Sequence, residues 1–419
     1  MSEGTKTSWF KLLKNIDIGG IVKLAQKVDL GKLISKVNEM SESDLKKMMK
    51  MLDGGGADRE PPPIDGDFYD LSGKLSPEER AIQLKVREFM ETEVEPITNE
   101  YWQKAEFPKH LIPKMAELDI CGLTLEGYGC PNKSNVLQGF VAQEMARVDP
   151  SFSTFFGVQS GLAMGAIYEC GSEEQRQKWL PEMQKMNIIG AFGLTEPDVG
   201  SAVAGGLTTK ARREGDTWIL NGQKKWIGNA TFSDITIIWA EDVDSGDVKG
   251  FIVEQDNPGF KAEKIEDKMA LRTVQNALIT LDDCRIREEN RLQKAHSFRD
   301  TSRVLRLTRA SVAWQAVGCA RGAYENALAY CNERKQFGKT IGSFQLVQDL
   351  LVEMLTNLTA MQSMVYRLSE LQDEDKLTDE RASLAKVVCT LKTREIVSKA
   401  RELLGGNGIL LRYNVARFV

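Results

Sequence analysis

Ala191-Phe192-Gly193-Leu194-Thr195-Glu196-Pro197-Asp198-Val199-Gly200-Ser201-Ala202 marks the place where the periodicity of the chain changes. Before it, apolar residues recur at helical intervals; after it come short β-rich runs bounded by Gly, Asn and Ser. Inside it, Pro197, Gly200 and Ser201 fit a tight turn. Its backbone amides and the Thr195 and Ser201 hydroxyls can face a flat polar ligand, with Glu196 stabilising the turn. Taken alone, such a turn is equally an ordinary entry into a sheet.

Upstream, Ser76-Pro77-Glu78-Glu79 offers an N-cap hydroxyl, a proline at the first helical position and a glutamate three residues on, which predicts a helix to about Glu95, stopped by Pro96. Further helical stretches fall at 108–119 and 134–147, and Ser172-Glu173-Glu174-Gln175 is a second capping box. Downstream, Thr217–Leu220 and Gln223–Ile227 around Asn221-Gly222 read as a hairpin. Ile235–Ala240 with Gly250–Glu254 reads as a second pair, and Ala277–Leu281 as a further strand. The helical period returns at about 301–334, 344–373 and 378–404, ending at Gly405-Gly406. The fold class is therefore α+β: an N-terminal α domain at 73–190, a middle β-barrel or sandwich domain at 191–302, and a C-terminal antiparallel helical bundle at 303–419.

Residues 1–60 differ in style. Ile16-Asp17-Ile18-Gly19 recurs as Val28-Asp29-Leu30-Gly31, and seven lysines lie between Lys6 and Lys36. This basic amphipathic tail can contact an anionic membrane or a partner, although a solvated helical tail is the plainer reading. Gly54-Gly55-Gly56 and Pro61-Pro62-Pro63 introduce a linker at 61–72.

The 419 residues include only two histidines, His110 and His296, far apart, so histidine metal sites and histidine relays have no material. A net charge of −5 argues against a nucleic-acid partner. Seven cysteines without a CxxC pair suit a reducing, intracellular setting, with the compartment open between cytoplasm, mitochondrion and peroxisome. No long uncharged apolar run or signal-peptide core is present, so a soluble protein is expected.

Three more segments carry chemistry. In KKWIGN (224–229), Trp226 can present an aromatic face and Gly228 an open backbone to a planar ring. In ERKQFG (333–338), Arg334 can pair with a phosphate, and Gln336 and Gln345 can bond a sugar or base. In LLGGNG (403–408), Gly405-Gly406 allows close backbone approach. Each alone is also ordinary surface or core. Together, in this order around a β block, they resemble the acyl-CoA dehydrogenase and acyl-CoA oxidase family of flavoproteins over about residues 73–419. GYGCP (127–131), ARVDPS (146–151), GSEEQRQKWLP (171–181) and VAWQ (312–315) bring the resemblance nearest to the glutaryl-CoA dehydrogenase and short-chain acyl-CoA oxidase branch.

The resemblance implies FAD-dependent α,β-desaturation of an acyl-CoA, with a glutamate taking the α-proton. It implies that Phe192, Leu194, Thr195, Gly200 and Ser201 line the flavin, with Ser201 also near the CoA chain, and that Trp226, Ile227 and Gly228 cover its other edge. Arg334, Gln345 and the segment from Glu402 to Gly405 and Gly406 would reach the FAD of a neighbouring subunit, which implies a homodimer or homotetramer, and Gln336 and Phe337 would also be cofactor-binding. Arg309 would stand close to substrate, beside Thr308. Three departures stand out. The family's glutamate, in a Tyr-Glu-Gly-Thr motif, is expected beyond Val419, which reads as a truncated end, and the alternative position for a carboxylate holds Thr308. Gly228 replaces a flavin-facing threonine or serine, which sets direct reoxidation by O2 beside delivery to an electron-transferring flavoprotein. Ser153, beside Phe152, replaces the arginine that would pair a distal carboxylate, which predicts a short or medium monocarboxylic chain. Ala202 also stands where an aspartate is usual. The competing class is a relative that binds flavin or acyl-CoA without turnover.

Overall fold

The computed structural model describes residues 66–418, and the expectations placed on residues 1–60 lie outside them. Within the segment read as a linker, the chain from Asp67 onward is folded against the body: Asp67 accepts from the Leu71 and Ser72 amides at 2.9 Å each, and Leu71 is buried.

The first helical block holds α1 (Pro77–Phe89), α2 (Glu95–Lys104), α3 (Ile112–Ala116), α4 (Asn135–Val148), α5 (Pro150–Phe156), α6 (Met164–Cys170) and α7 (Glu173–Gln184). Both capping boxes form, at Ser76 and at Ser172. Pro96, however, does not stop the first helix. A wide turn at Met90–Val94 intervenes, in which the Glu95 amide bonds back to the Met90 carbonyl, and the helix resumes with Pro96 in its first turn. There the missing proline N–H leaves no bond broken. A second wide-turn segment, Gly157–Ala163, joins α5 to α6.

The β block is one seven-stranded sheet: β1 (Gly190–Gly193), β2 (Lys210–Glu214), β3 (Thr217–Ile227), β4 (Ile235–Asp242), β5 (Val248–Glu254), β6 (Phe260–Lys264) and β7 (Ala277–Arg287). β4 pairs in parallel with β1 and β2 and antiparallel with β5; β2, β3, β7 and β6 follow as antiparallel neighbours. Side chains alternate along β4: Ile235, Ile237 and Trp239 join the helical core, while Ile238 and Ala240 join a separate cluster with Trp218, Phe251 and Ile279. The hairpin expected at Asn221-Gly222 does not form. β3 runs straight through it with a register shift, because Asn221 exchanges side-chain bonds with Asp283 on β7 at 2.8 and 3.0 Å. The turn lies earlier, at Gly215-Asp216 between β2 and β3. A side chain at Gly222 would place its Cβ 2.7 Å from the Thr209 Cα, so glycine there lets the two segments approach.

The last block is α8 (Phe298–Glu333), α9 (Gln345–Asp373) and α10 (Asp379–Leu404), close to the expected spans. A short ribbon, β8 (Lys335–Gln336) with β9 (Lys339–Thr340), links α8 to α9. α8 and α10 run the same way: Arg309 meets Asp379 at one end, and Tyr330 accepts from Asn407 at the other. Among the described residues no helix is long and apolar enough to cross a membrane.

Candidate functional site

The 191–202 stretch leaves β1 and lies against the end of β3. Gln159, from the wide-turn segment, sets where β1 begins: its amide donates to the Met183 and Ile188 carbonyls, and its carbonyl accepts from the Gly190 amide at 2.6 Å. Asn229 continues the same seam, donating to the Phe155 and Gly190 carbonyls at 3.2 and 3.3 Å. The Lys225 amide donates to the Thr195 carbonyl at 2.8 Å. The turn and KKWIGN, thirty residues apart in sequence, are thus adjacent.

Behind this junction lies a buried ion pair. Lys224 Nζ donates to Glu196 Oε1 at 2.8 Å and to the Leu194 carbonyl at 3.1 Å. Both side chains are essentially inaccessible, at 0% and 1%. Glu196 also accepts from the Thr208 amide and hydroxyl at 2.6 Å each and from the Thr209 amide at 2.9 Å. Burial raises the Glu196 carboxyl, but the bonds from Lys224, Thr208 and Thr209 outweigh it and hold the pKa down to about 2. Burial lowers the Lys224 ammonium below the usual lysine value, against the pull of Glu196.

Toward solvent, the junction presents few charges. Trp226 is 52% exposed and adopts a left-handed backbone, φ 66°, that turns its ring outward between half-buried Lys225 and buried Ile227. Leu194 and Ile227 are buried, Thr195 is half-buried, and Gly200 and Ser201 are exposed on the loop. The Phe192 ring packs on Trp239 in the core, so only its backbone remains available to a ligand. Gly228 is buried, and a Cβ there would lie 3.3 Å from Val158 and 3.6 Å from Val274.

Val158 also lines a cavity of about 140 Å³ between α4, α5, the wide-turn segment and α8. Phe156, Leu162, Val312 and Ala142 supply apolar wall; no lining residue carries a charge. Its polar groups are paired among themselves: Gln315 donates to Thr154 Oγ1 at 2.7 Å, Gln138 to Ser311 at 3.4 Å, Ser153 to the Ala142 carbonyl at 3.2 Å, and Thr308 to the Leu305 carbonyl at 3.0 Å. Ser153 and Thr308 therefore line this space. Phe152 does not; it stacks behind with Phe107 and Phe89. Nor does Arg309, which turns away to Asp379 at 2.9 Å.

The remaining residues are elsewhere. Arg334, Gln336, Phe337 and Gln345 are exposed at the far end of α8, and Glu402, Gly405 and Gly406 are exposed at the same end of α10. From Thr308 to Arg334 is twenty-six residues of α8, about 39 Å at the α-helical rise. One protomer does not bring the two groups together. Sequence reasoning missed the roles of Gln159, Gln138 and Ser311, which stand in no quoted motif, of Asn229 and Gln315, which close the KKWIGN and VAWQ segments, and of Lys224 as the partner of Glu196.

Three family descriptions match the chain in order: "Acyl-CoA dehydrogenase, N-terminal domain" at residues 76–187, "Acyl-CoA dehydrogenase, middle domain" at 191–284 and "Acyl-CoA dehydrogenase, C-terminal domain" at 298–419. The caffeyl-CoA reductase-Etf complex subunit CarC of Acetobacterium woodii is 34% identical over 82% of this chain and 92% of its own length. The mitochondrial short-chain specific acyl-CoA dehydrogenase of Mus musculus is 30% identical over 79% and 82%. The crystal structure of a glutaryl-CoA dehydrogenase from Mycobacterium smegmatis in complex with FADH2 superposes with a TM-score of 0.82, at 35% identity, over 84% of this chain and 91% of that one.

Proposed function

The chain belongs to the acyl-CoA dehydrogenase family of flavin-dependent oxidoreductases, and from that membership we propose that it binds FAD and α,β-desaturates a short- or medium-chain monocarboxylic acyl-CoA to the trans-2-enoyl-CoA. The residues fit such a cofactor. Glu196 is consumed internally by Lys224, Thr208 and Thr209, so its charge does not face the ligand; the outward groups are the Thr195 and Ser201 hydroxyls, backbone amides, the Trp226 indole and the Lys225 ammonium beside it, with Asp198 exposed at the loop tip. FAD, when bound, accepts the hydride from the acyl β-carbon.

The uncharged cavity carries the substrate reading. Its 140 Å³ corresponds to about five water volumes, which suits a short chain. Its lining offers no cation to pair a second carboxylate, whose unpaired burial costs several kcal/mol. Around the acyl chain, Phe156, Leu162 and Val312 exclude water, while the loop at 194–201 and Trp226–Gly228 flank the flavin. The FAD-reaching groups at the far ends of α8 and α10 lie too distant to act within one protomer, which supports a homodimer or homotetramer in which each copy completes the other's site. The relative described as part of an Etf complex supports an electron-transferring flavoprotein as acceptor, and the side chain absent at Gly228 supports O2.

A second reading, binding without turnover, is favoured by one observation: no carboxylate lines the cavity, and position 308 holds a threonine whose hydroxyl is already given away. Anaerobic titration of the FAD-loaded protein with butyryl-, octanoyl- and glutaryl-CoA separates the two. Bleaching of the visible flavin band by butyryl- or octanoyl-CoA is the expected result, with oxygen uptake on admitting air if O2 is the acceptor. Flavin that no thioester bleaches establishes the binding reading, and glutaryl-CoA as much the best substrate would refute the monocarboxylic assignment.

A further inference from the structure

Three backbone segments converge on Lys224 Nζ: the exit of β1 at Leu194, the base of the exposed loop at Glu196, and β3, which carries Lys224 itself. The loop leaves at Glu196 and returns at Thr208-Thr209, and a single carboxylate stitches both ends, since Glu196 accepts from both returning amides. Between these points Pro197, Asp198, Gly200, Ser201 and Ala202 are exposed and touch little. Their position is set by the neck together with Val203 and Leu207, which pack on the helical core. On the other side, Lys224 is two residues before Trp226 and four before Gly228, on the strand whose end flanks the same ligand face.

We propose that Glu196 and Lys224 form a positioning pair that fixes the 194–201 loop and the Trp226–Gly228 edge at the separation a flavin ring requires. The inference rests on the assignment of that face to FAD. Neither side chain touches the ligand face, because both are enclosed; they act through the Leu194 carbonyl, the Thr208 and Thr209 amides, and the adjoining Lys225-to-Thr195 backbone bond. A buried ion pair is seldom the most stable way to fill such a space, since well-packed apolar residues often match or exceed it. What it supplies is direction: an ammonium and a carboxylate hold specified oxygen and nitrogen atoms at hydrogen-bond distance, where two apolar side chains would allow the loop to slide.

The test compares Lys224→Met, Glu196→Gln and the double variant by thermal denaturation, FAD titration followed by fluorescence, and the position of the bound flavin's visible bands. Lys224→Met leaves the Glu196 charge unpaired and should lower both Tm and FAD affinity. In the double variant both charges are gone, so Tm should recover toward that of the native chain, while FAD affinity stays weaker by about tenfold, roughly 1.4 kcal/mol, and the flavin bands stay shifted. Glu196→Gln, nearly isosteric and still able to accept from Thr208 and Thr209, should lie between. If affinity and spectrum recover together with Tm in the double variant, or if all three variants bind FAD like the native chain, the pair is structural only and the inference is overturned. Failure of the native chain to bind FAD would instead defeat the cofactor assignment, a separate and distinguishable result.

Discussion

At the scale of single residues, the buried charges divide by what surrounds them. Glu196 meets one ammonium and three hydrogen-bond donors in the enclosed space behind the 194–201 loop. Glu144, in the first helical block, is enclosed by Arg87 at 3.0 Å, Arg147 at 3.1 Å and Arg321 at 3.6 Å, with Gln83 donating at 2.9 Å, and does not line the cavity. Burial raises its carboxyl, but the three guanidiniums outweigh that and hold it at about 2. The folded pKa lies below the ordinary glutamate value, so this stabilisation is complete above pH about 4.3 and is lost as pH falls through the folded value. Glu144→Gln leaves the arginines facing one another and should cost about 3–5 kcal/mol near pH 7. The deficit should shrink between pH 4.5 and 2, where the native Glu144 is itself becoming neutral. Paired denaturation curves across that range check it; a deficit independent of pH would mean that the site tolerates loss of the charge by another route.

At the scale of elements, close packing between helices explains both what the sequence made legible and what it hid. α8 and α10 were readable almost to the residue because Ser297 and Thr378 cap their starts and Gly405 follows the end of α10, and α9 because its helical period runs unbroken between them. Asn221-Gly222 misled because a local turn signal lost to a side-chain exchange with Asp283, sixty-two residues on. Pro96 misled because the preceding wide turn shifted the hydrogen-bond register. The 191–202 and 224–229 motifs were visible in sequence, yet the pair linking them was not, since nothing local marks Lys224 as the partner of a carboxylate twenty-eight residues earlier. The same kind of packing makes a prediction at α4. A methyl at Gly139 would overlap the Trp314 ring of α8, which cannot easily retreat because its indole N–H donates to Ser369 on α9 at 2.8 Å. Gly139→Ala should therefore destabilise by about 1–3 kcal/mol. Gly165→Ala in α6, where a Cβ meets nothing within 4 Å, should be neutral or stabilising by up to about 1 kcal/mol. Thermal denaturation of the two variants compares them, and equal shifts would show that the α4–α8 contact can relax.

At the scale of the whole molecule, the separation of two functional groups along α8 becomes a statement about assembly. Phe337 is 92% exposed beside Arg334 and Gln336, and on α10 Leu384, Val387 and Leu391 are each at least half exposed, at 61%, 54% and 51%, spaced three and four residues apart. A helical stripe of that spacing is apolar on a face that the described residues leave uncovered, which is the mark of a protein–protein contact rather than of scattered surface residues. If the far-end residues complete a neighbour's FAD site, cofactor binding and self-association are linked, and each must strengthen the other by the same factor. FAD titrations should then give tighter binding at higher protomer concentration, and sedimentation should show larger assemblies when FAD is present. Phe337→Asp, at a side chain 92% exposed whose ring meets its own chain edge-on at Phe344, should change Tm at low protein concentration little and should weaken association and FAD affinity together. A variant that dissociates yet binds FAD as tightly as the native protein would separate the two and confine the cofactor site to one protomer.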